Sequence, residues 1–181
     1  MFKLSKQTCV PSGFNQHIER HGKIDKYAAL DLTMIAEMHN SVLDMLAPGL
    51  RAQWFKPKPK SEEDLADQGT DDNLVCLRFP ELQSTFTWDY KGAGYKCFFD
   101  FGISGDADIN LVDMKLHKMK VEGKNGGTVK IEFKLSGKPS RDDIVPLYFM
   151  QEMQKVTLTL EPPEFGDSPQ MDIEELEDDE I

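Results

Sequence analysis

The chain has 181 residues, a formal net charge of −11, 39% hydrophobic residues and three cysteines. That length fits one domain plus a tail, and a body of roughly 160 residues buries about two-thirds of its unfolded surface without staples. No run reaches the ~18 apolar residues of a membrane span, MFKLSKQTCVPSG carries no long apolar leader region, and Cys9, Cys76 and Cys97 have no CxxC spacing. These features argue against a membrane protein and a disulfide framework, and they predict a soluble protein of a reducing compartment, the cytoplasm.

Residues 2–8 read as a short strand and residues 11–25, PSGFNQHIERHGKID, as a polar loop. A period of two follows. Ala28, Leu30, Leu32, Met34, Ala36 and Met38 fall on one face, with Tyr27, Ala29, Asp31, Thr33, Ile35 and Glu37 on the other, which predicts a strand with one buried face. Asn40 or Ser41 can cap a short helix, with Asp44 completing a weak capping box and Val42, Leu43, Leu46 and Leu50 as its apolar face. Residues 56–73, Lys- and Pro-rich and then acidic, read as a mobile insertion.

The second half reads as strands. Leu74–Phe79 is one, Thr85–Tyr90 and Tyr95–Phe101 flank Lys91-Gly92-Ala93-Gly94 as a hairpin, and Ile109–Val121 and Thr128–Leu135 flank the turn signal Asn125-Gly126-Gly127. Ser140 caps a helix with Asp142 and Asp143 in its first turn, and Val156–Leu160 is a last strand. The predicted fold class is mainly β. It is an antiparallel, OB-like barrel (five-stranded Greek key with additions) or a curved sheet, with one or two short helices. One domain covers 1–160, and residues 161–181 form an acidic tail.

The tail holds ten acidic residues and no Lys, Arg or His, so subtracting it from the chain's −11 leaves −1 for the body. It cannot bury enough apolar surface to offset ordering entropy and is expected to be disordered. Within the near-neutral body, seven lysines lie between Lys115 and Lys138, opposed only by Glu122 and Glu132. Val129, Ile131, Phe133 and Leu135 take one phase while Lys130, Glu132 and Lys134 take the other; Met119 and Val121 likewise oppose Lys118 and Lys120. One face packs inward and the other presents cations, as either a solvated sheet face or a polyanion surface. Aromatics and lysines interleave just upstream, in Phe86, Trp88, Tyr90, Lys91, Tyr95, Lys96, Phe98, Phe99 and Phe101. Aromatics carry much of a small core, but exposed rings in such a stretch stack bases of any identity.

Enzyme-like patterns do not complete. His17-Ile18-Glu19-Arg20-His21 has Glu19 misplaced for either zinc-protease order, and Asp106, Asp108 and Asn110 are followed by Leu111 where a calcium loop requires Gly. No phosphate loop or nucleophile motif is present, so the reading is non-catalytic, with no cofactor and no metal.

The end of the chain, Met171-Asp172-Ile173-Glu174-Glu175-Leu176-Glu177-Asp178-Asp179-Glu180-Ile181, resembles the acidic tip of single-stranded DNA-binding proteins of bacteria and phages. The resemblance covers the last eleven residues and the layout of a small β body, and the terminal Glu-Ile departs from the usual Pro-Phe. It implies a tail that docks replication and repair proteins through Asp172, Glu174, Glu175, Glu177, Asp178, Asp179, Glu180 and Ile181 and that occupies the protein's own basic groove when DNA is absent. The expected function is binding and protection of single-stranded DNA in phage-type replication or recombination, in the host cytoplasm if the chain is phage-encoded. Trp88, Tyr90 and Phe98 are the expected stacking rings, and Lys91, Lys96, Lys115, Lys118, Lys120, Lys130 and Lys134 the expected phosphate contacts. Homo-oligomer formation is left open. The alternative is a protein-interaction module, a virion component or a DNA-mimic inhibitor whose tail is itself the ligand.

Overall fold

The computed structural model describes residues 1–21, 25–59, 73–81, 85–102 and 109–163. The acidic residues of the tail beyond Glu161, most of the expected 56–73 insertion and the calcium-like Asp106 and Asp108 lie outside the described residues. Nine strands are described: β1 (Leu4–His21), β2 (Asp25–His39), β3 (Phe55–Pro57), β4 (Leu74–Leu77), β5 (Thr85–Trp88), β6 (Gly92–Asp100), β7 (Ile109–Lys124), β8 (Thr128–Gly137) and β9 (Val156–Glu161). The helices are α1 (Leu43–Leu46), α2 (Leu50–Trp54) and α3 (Arg141–Glu152). None of these is long and apolar enough to cross a membrane.

Six strands close on themselves in the order β7-β6-β9-β1-β2-β8, with the β7–β8 pairing completing the ring and every pairing antiparallel. The mainly β, OB-like barrel is thus present, closed by six strands instead of five. Alternation builds its interior. Leu30, Leu32, Met34 and Ala36 of β2, Tyr95, Cys97 and Phe99 of β6, Val129, Ile131, Phe133 and Leu135 of β8, and Val156, Leu158 and Leu160 of β9 are all buried. Each large side chain so buried stabilises the fold by about 1.5–3 kcal/mol. Leu147 and Met150 of α3 join the same core.

Closure requires curvature, and the backbone supplies it at bulges. The non-glycine residues with positive φ are Lys6 (46°), Asp113 (55°) and Lys118 (53°). Each falls at a register shift: Lys6 between Leu4 and Gln7 against β9, Asp113 between Leu111 and Met114 against β6, and Lys118 between His117 and Lys120 against β8. An extra residue on one strand bends it and increases its twist.

Three expectations are corrected. Residues 11–25 are mostly strand, because β1 runs to His21 in register with β2, from Phe14↔Leu32 to His21↔Asp25. The strongly patterned β2 provides the partner, so backbone pairing makes a strand where the sequence lacks an apolar period. The 91–94 segment is not a hairpin turn. β5 pairs with residues 119–122 of β7 and β6 with residues 109–116, so β5 and β6 lie end to end along one edge of β7. Gly92 is required there for close approach, since a Cβ would lie 2.5 Å from the Tyr95 ring. Finally, the helix after β2 is a 3-10 turn over Asn40–Val42 followed by α1 and α2, and His39 is the capping side chain. Asn40 is buried instead, donating to the Leu74 carbonyl at 2.6 Å and accepting from Arg51 Nε at 2.7 Å. Asp44 accepts from the Gly49 and Arg51 backbone.

The Ser140 cap is as expected. Its hydroxyl and Asp143 form a reciprocal capping box at the start of α3.

Candidate nucleic-acid interface

The outer wall of β2, β8 and β7 is a grid set by register. Its rows are Asp31–Ser136–Lys115, Thr33–Lys134–His117, Ile35–Glu132–Lys120 and Glu37–Lys130–Glu122. The intervening residues of β8 are buried, so these side chains face outward. The grid divides electrically. In its lower half Lys120 pairs with Glu132 and Lys130 with Glu122, each at 3.7 Å, and Lys124 bonds Glu37. The Lys124 hydrogen bond, ahead of its charge, lowers the Glu37 carboxyl below its usual range. These pairs flank a shallow depression lined by Thr85, Lys120, Glu122, Lys130 and Glu132.

In the upper half, Lys115, Lys118 and Lys134 have no carboxylate within 4.0 Å among the described residues. They surround His117, whose Nε2 lies 2.6 Å from the Ser136 hydroxyl, which in turn donates to Asp31 at 2.5 Å. Partial burial is the main cause that holds the His117 imidazolium below its usual pKa; Asp31 opposes this, and Lys118, Lys134 and Lys115 reinforce it. Neither His117 nor Ser136 was among the expected site residues. A signal existed for His117: apolar Leu116 and Met119 are three apart, which breaks the period of two and marks a bulge. Asp31 and Ser136 are 105 residues apart, and nothing local connects them.

The wall continues onto β6. Lys96 is exposed and Phe98 half-buried on its outer face, with Phe98 opposite Asn110 of β7 and Thr159 of β9. Val112 on β7 is 65% exposed. The structure therefore brings Lys96, Phe98, Lys115, Lys118 and Lys134 onto one exterior surface.

Other expected residues are placed elsewhere. Trp88 sits opposite buried Met119, and Thr87 opposite Lys120, so Trp88 faces the interior side of the sheet, away from the lysines. Its ring lies 6.0 Å from Phe86, which meets Trp54 in a tilted pair at 4.7 Å. The Tyr90 ring packs on the core and its hydroxyl bonds Tyr95 at 2.6 Å. Lys91 is exposed beside Asp89 at 3.4 Å. Among the described residues no group of three or more His, Cys, Asp or Glu side chains comes together to hold a metal ion.

The fold and this wall define a small closed β-barrel with a cationic, aromatic-bearing exterior. No protein-family model, curated protein or solved structure matches the chain.

Proposed function

We propose that this barrel is a non-catalytic single-stranded DNA-binding protein, serving phage-type replication or recombination, with the acidic tail docking partner proteins. One observation carries the reading. Lysines 115, 118 and 134, with no carboxylate within 4.0 Å among the described residues, share an exterior surface with Lys96 and the half-buried ring of Phe98. Phosphates are met by mobile cations and bases by a ring face, and neither contact depends on sequence. The reading narrows the expected set: Lys120 and Lys130 are already paired, and Trp88 and Tyr90 support the core.

The test is fluorescence anisotropy with labelled poly-dT at two salt concentrations, on the full chain and on a chain ending at Pro163. Glu161 is the last residue of β9 and lies in register with Lys96 of β6, so a cut before it would remove barrel structure. Both forms bind, the shortened one at least as well, with a log–log salt slope of about −0.7 per phosphate contact. Absence of binding by both forms at low salt rejects the proposal.

A second reading, a protein-interaction module, is favoured by the outer face of α3, where Val145, Tyr148 and Phe149 are 61%, 57% and 58% exposed. Under that reading, removal of the tail abolishes partner capture and poly-dT does not bind.

A further inference from the structure

The Asp31–Ser136–His117 chain has a direction that its geometry dictates. A hydroxyl has one proton to donate, and an ionised carboxylate only accepts. Ser136 Oγ lies 2.5 Å from Asp31 Oδ1, a distance that two facing lone pairs would not tolerate, so the Ser136 proton points at Asp31. Ser136 Oγ is then left as an acceptor toward His117 Nε2 at 2.6 Å, and Nε2 must carry the ring proton. In the neutral imidazole the other nitrogen, Nδ1, is therefore a bare acceptor. Nδ1 has no hydrogen-bond partner among the described residues and is not among the buried atoms.

This arrangement is unlike a Ser–His–Asp nucleophile. There the histidine accepts the serine proton; here the serine proton is committed to the carboxylate and His117 donates. The chain instead fixes the ring plane and leaves one nitrogen open to solvent among cations. The groups facing it are Lys115 and Lys118 on β7, Lys134 on β8 and Asp31 on β2.

Resting on the single-stranded DNA reading above, we infer that His117 is the centre of a phosphodiester subsite, flanked by Lys115, Lys118 and Lys134, and that it takes up a proton as the phosphate binds. A phosphate oxygen only accepts, so it is repelled by a bare Nδ1 and held by Nδ1–H of the imidazolium. In the free protein the surrounding lysines disfavour that second proton; a bound phosphate offsets their charge and favours it. Proton uptake and phosphate binding are linked reciprocally. Each unit by which binding raises the His117 pKa appears as a tenfold gain in affinity once pH falls below both values.

The test uses the full chain and a dT oligonucleotide, because thymine does not titrate in the range used. Affinity is measured from pH 8 to pH 5.5 at constant ionic strength, for the natural protein and for His117→Gln. The natural protein gains about tenfold or more on acidification, and His117→Gln removes most of that gain. Nuclear magnetic resonance of the imidazole nitrogens provides a check independent of any variant. Without DNA the neutral ring is the Nε2–H tautomer, and added oligonucleotide raises its pKa. Asp31→Asn frees the Ser136 proton to turn toward Nε2 and shifts the ring toward the Nδ1–H tautomer. Binding with the same pH profile in His117→Gln overturns the subsite and leaves the DNA reading intact. A neutral Nδ1–H ring in the natural protein also overturns the subsite. No binding of dT at any pH overturns both.

Discussion

Tyr90 and Tyr95 join hydroxyl to hydroxyl at 2.6 Å, and together they clamp the first residues of the chain. Tyr95 donates to the Phe2 carbonyl at 3.0 Å, so Tyr90 donates to Tyr95 and accepts from the Phe2 amide at 3.3 Å. Every polar atom in this ring of bonds has a partner. Burial, together with Tyr90, raises the Tyr95 phenol well above its ordinary pKa. Removing the Tyr95 hydroxyl leaves the Phe2 carbonyl and Tyr90 with unmet bonds. Tyr95→Phe therefore lowers unfolding free energy by about 1–3 kcal/mol in urea titration. In a double-mutant cycle with Tyr90→Phe the two losses do not add.

The placement of aromatics separates binding from stability. Phe98→Ala weakens poly-dT affinity by about 1–3 kcal/mol, the contribution of one stacked base. Trp88→Ala lowers the urea midpoint, since its ring packs with Phe86 beside the core, and leaves affinity for the folded protein unchanged. Anisotropy and urea titration on both variants check this. The opposite pattern places the stacking surface on β5.

Lysines of the wall differ by whether they have acidic neighbours. Replacing Lys115, Lys118 or Lys134 with Gln reduces the magnitude of the log–log salt slope for poly-dT by about 0.7 each, if each meets one phosphate. Lys120→Gln and Lys130→Gln change the slope less, because Glu132 and Glu122 already occupy those cations. The pairs themselves lie near the surface, and their loss changes stability by at most about 1 kcal/mol.

Burial pushes the Cys9 and Cys97 thiols up to about 12. In the unfolded chain they ionise near the ordinary thiol value of 9.0. Above that pH the unfolded chain binds fewer protons than the folded one, so stability falls as pH rises. The contribution of both thiols is fully present below pH 9 and is lost progressively between 9 and 12. Urea midpoints measured across this window decline, and Cys9→Ala reduces the pH-dependent part. At neutral pH neither thiol reacts with a thiol reagent until the protein unfolds.

Lys118 holds a φ of 53° at the bulge between His117 and Lys120. A left-handed residue other than glycine costs roughly 1–2 kcal/mol, and a β-branched one costs more. Lys118→Gly keeps the fold with a stability change of about 1 kcal/mol or less, whereas Lys118→Val destabilises measurably by thermal melting. The glycine variant also separates backbone from charge, since it keeps the bulge and loses the cation.

Much of the barrel was legible from local pattern. The alternation of β2 and β8, the Asn125-Gly126-Gly127 turn and the Ser140 helix cap each depend on residues within a few positions of one another, and each is present. Residues 11–25 were not legible as strand, because their order comes from pairing with β2. The collinear β5 and β6 were not legible either, because Gly92 and Gly94 carry the same turn signal whether they reverse the chain or admit a ring and a bulge.

Chemistry divides along the same line. Period-two phasing alone separated Lys118, Lys120, Lys130 and Lys134 from the apolar residues between them, because side-chain direction in a strand alternates whatever its neighbours are. Composition alone located the acidic tail. Which lysines lack acidic partners, which rings share their surface, and that Asp31 and Ser136 orient His117 depend on register between strands far apart in the chain. That register is set by bulges and ring closure, which act through space and leave little trace in any short stretch of residues.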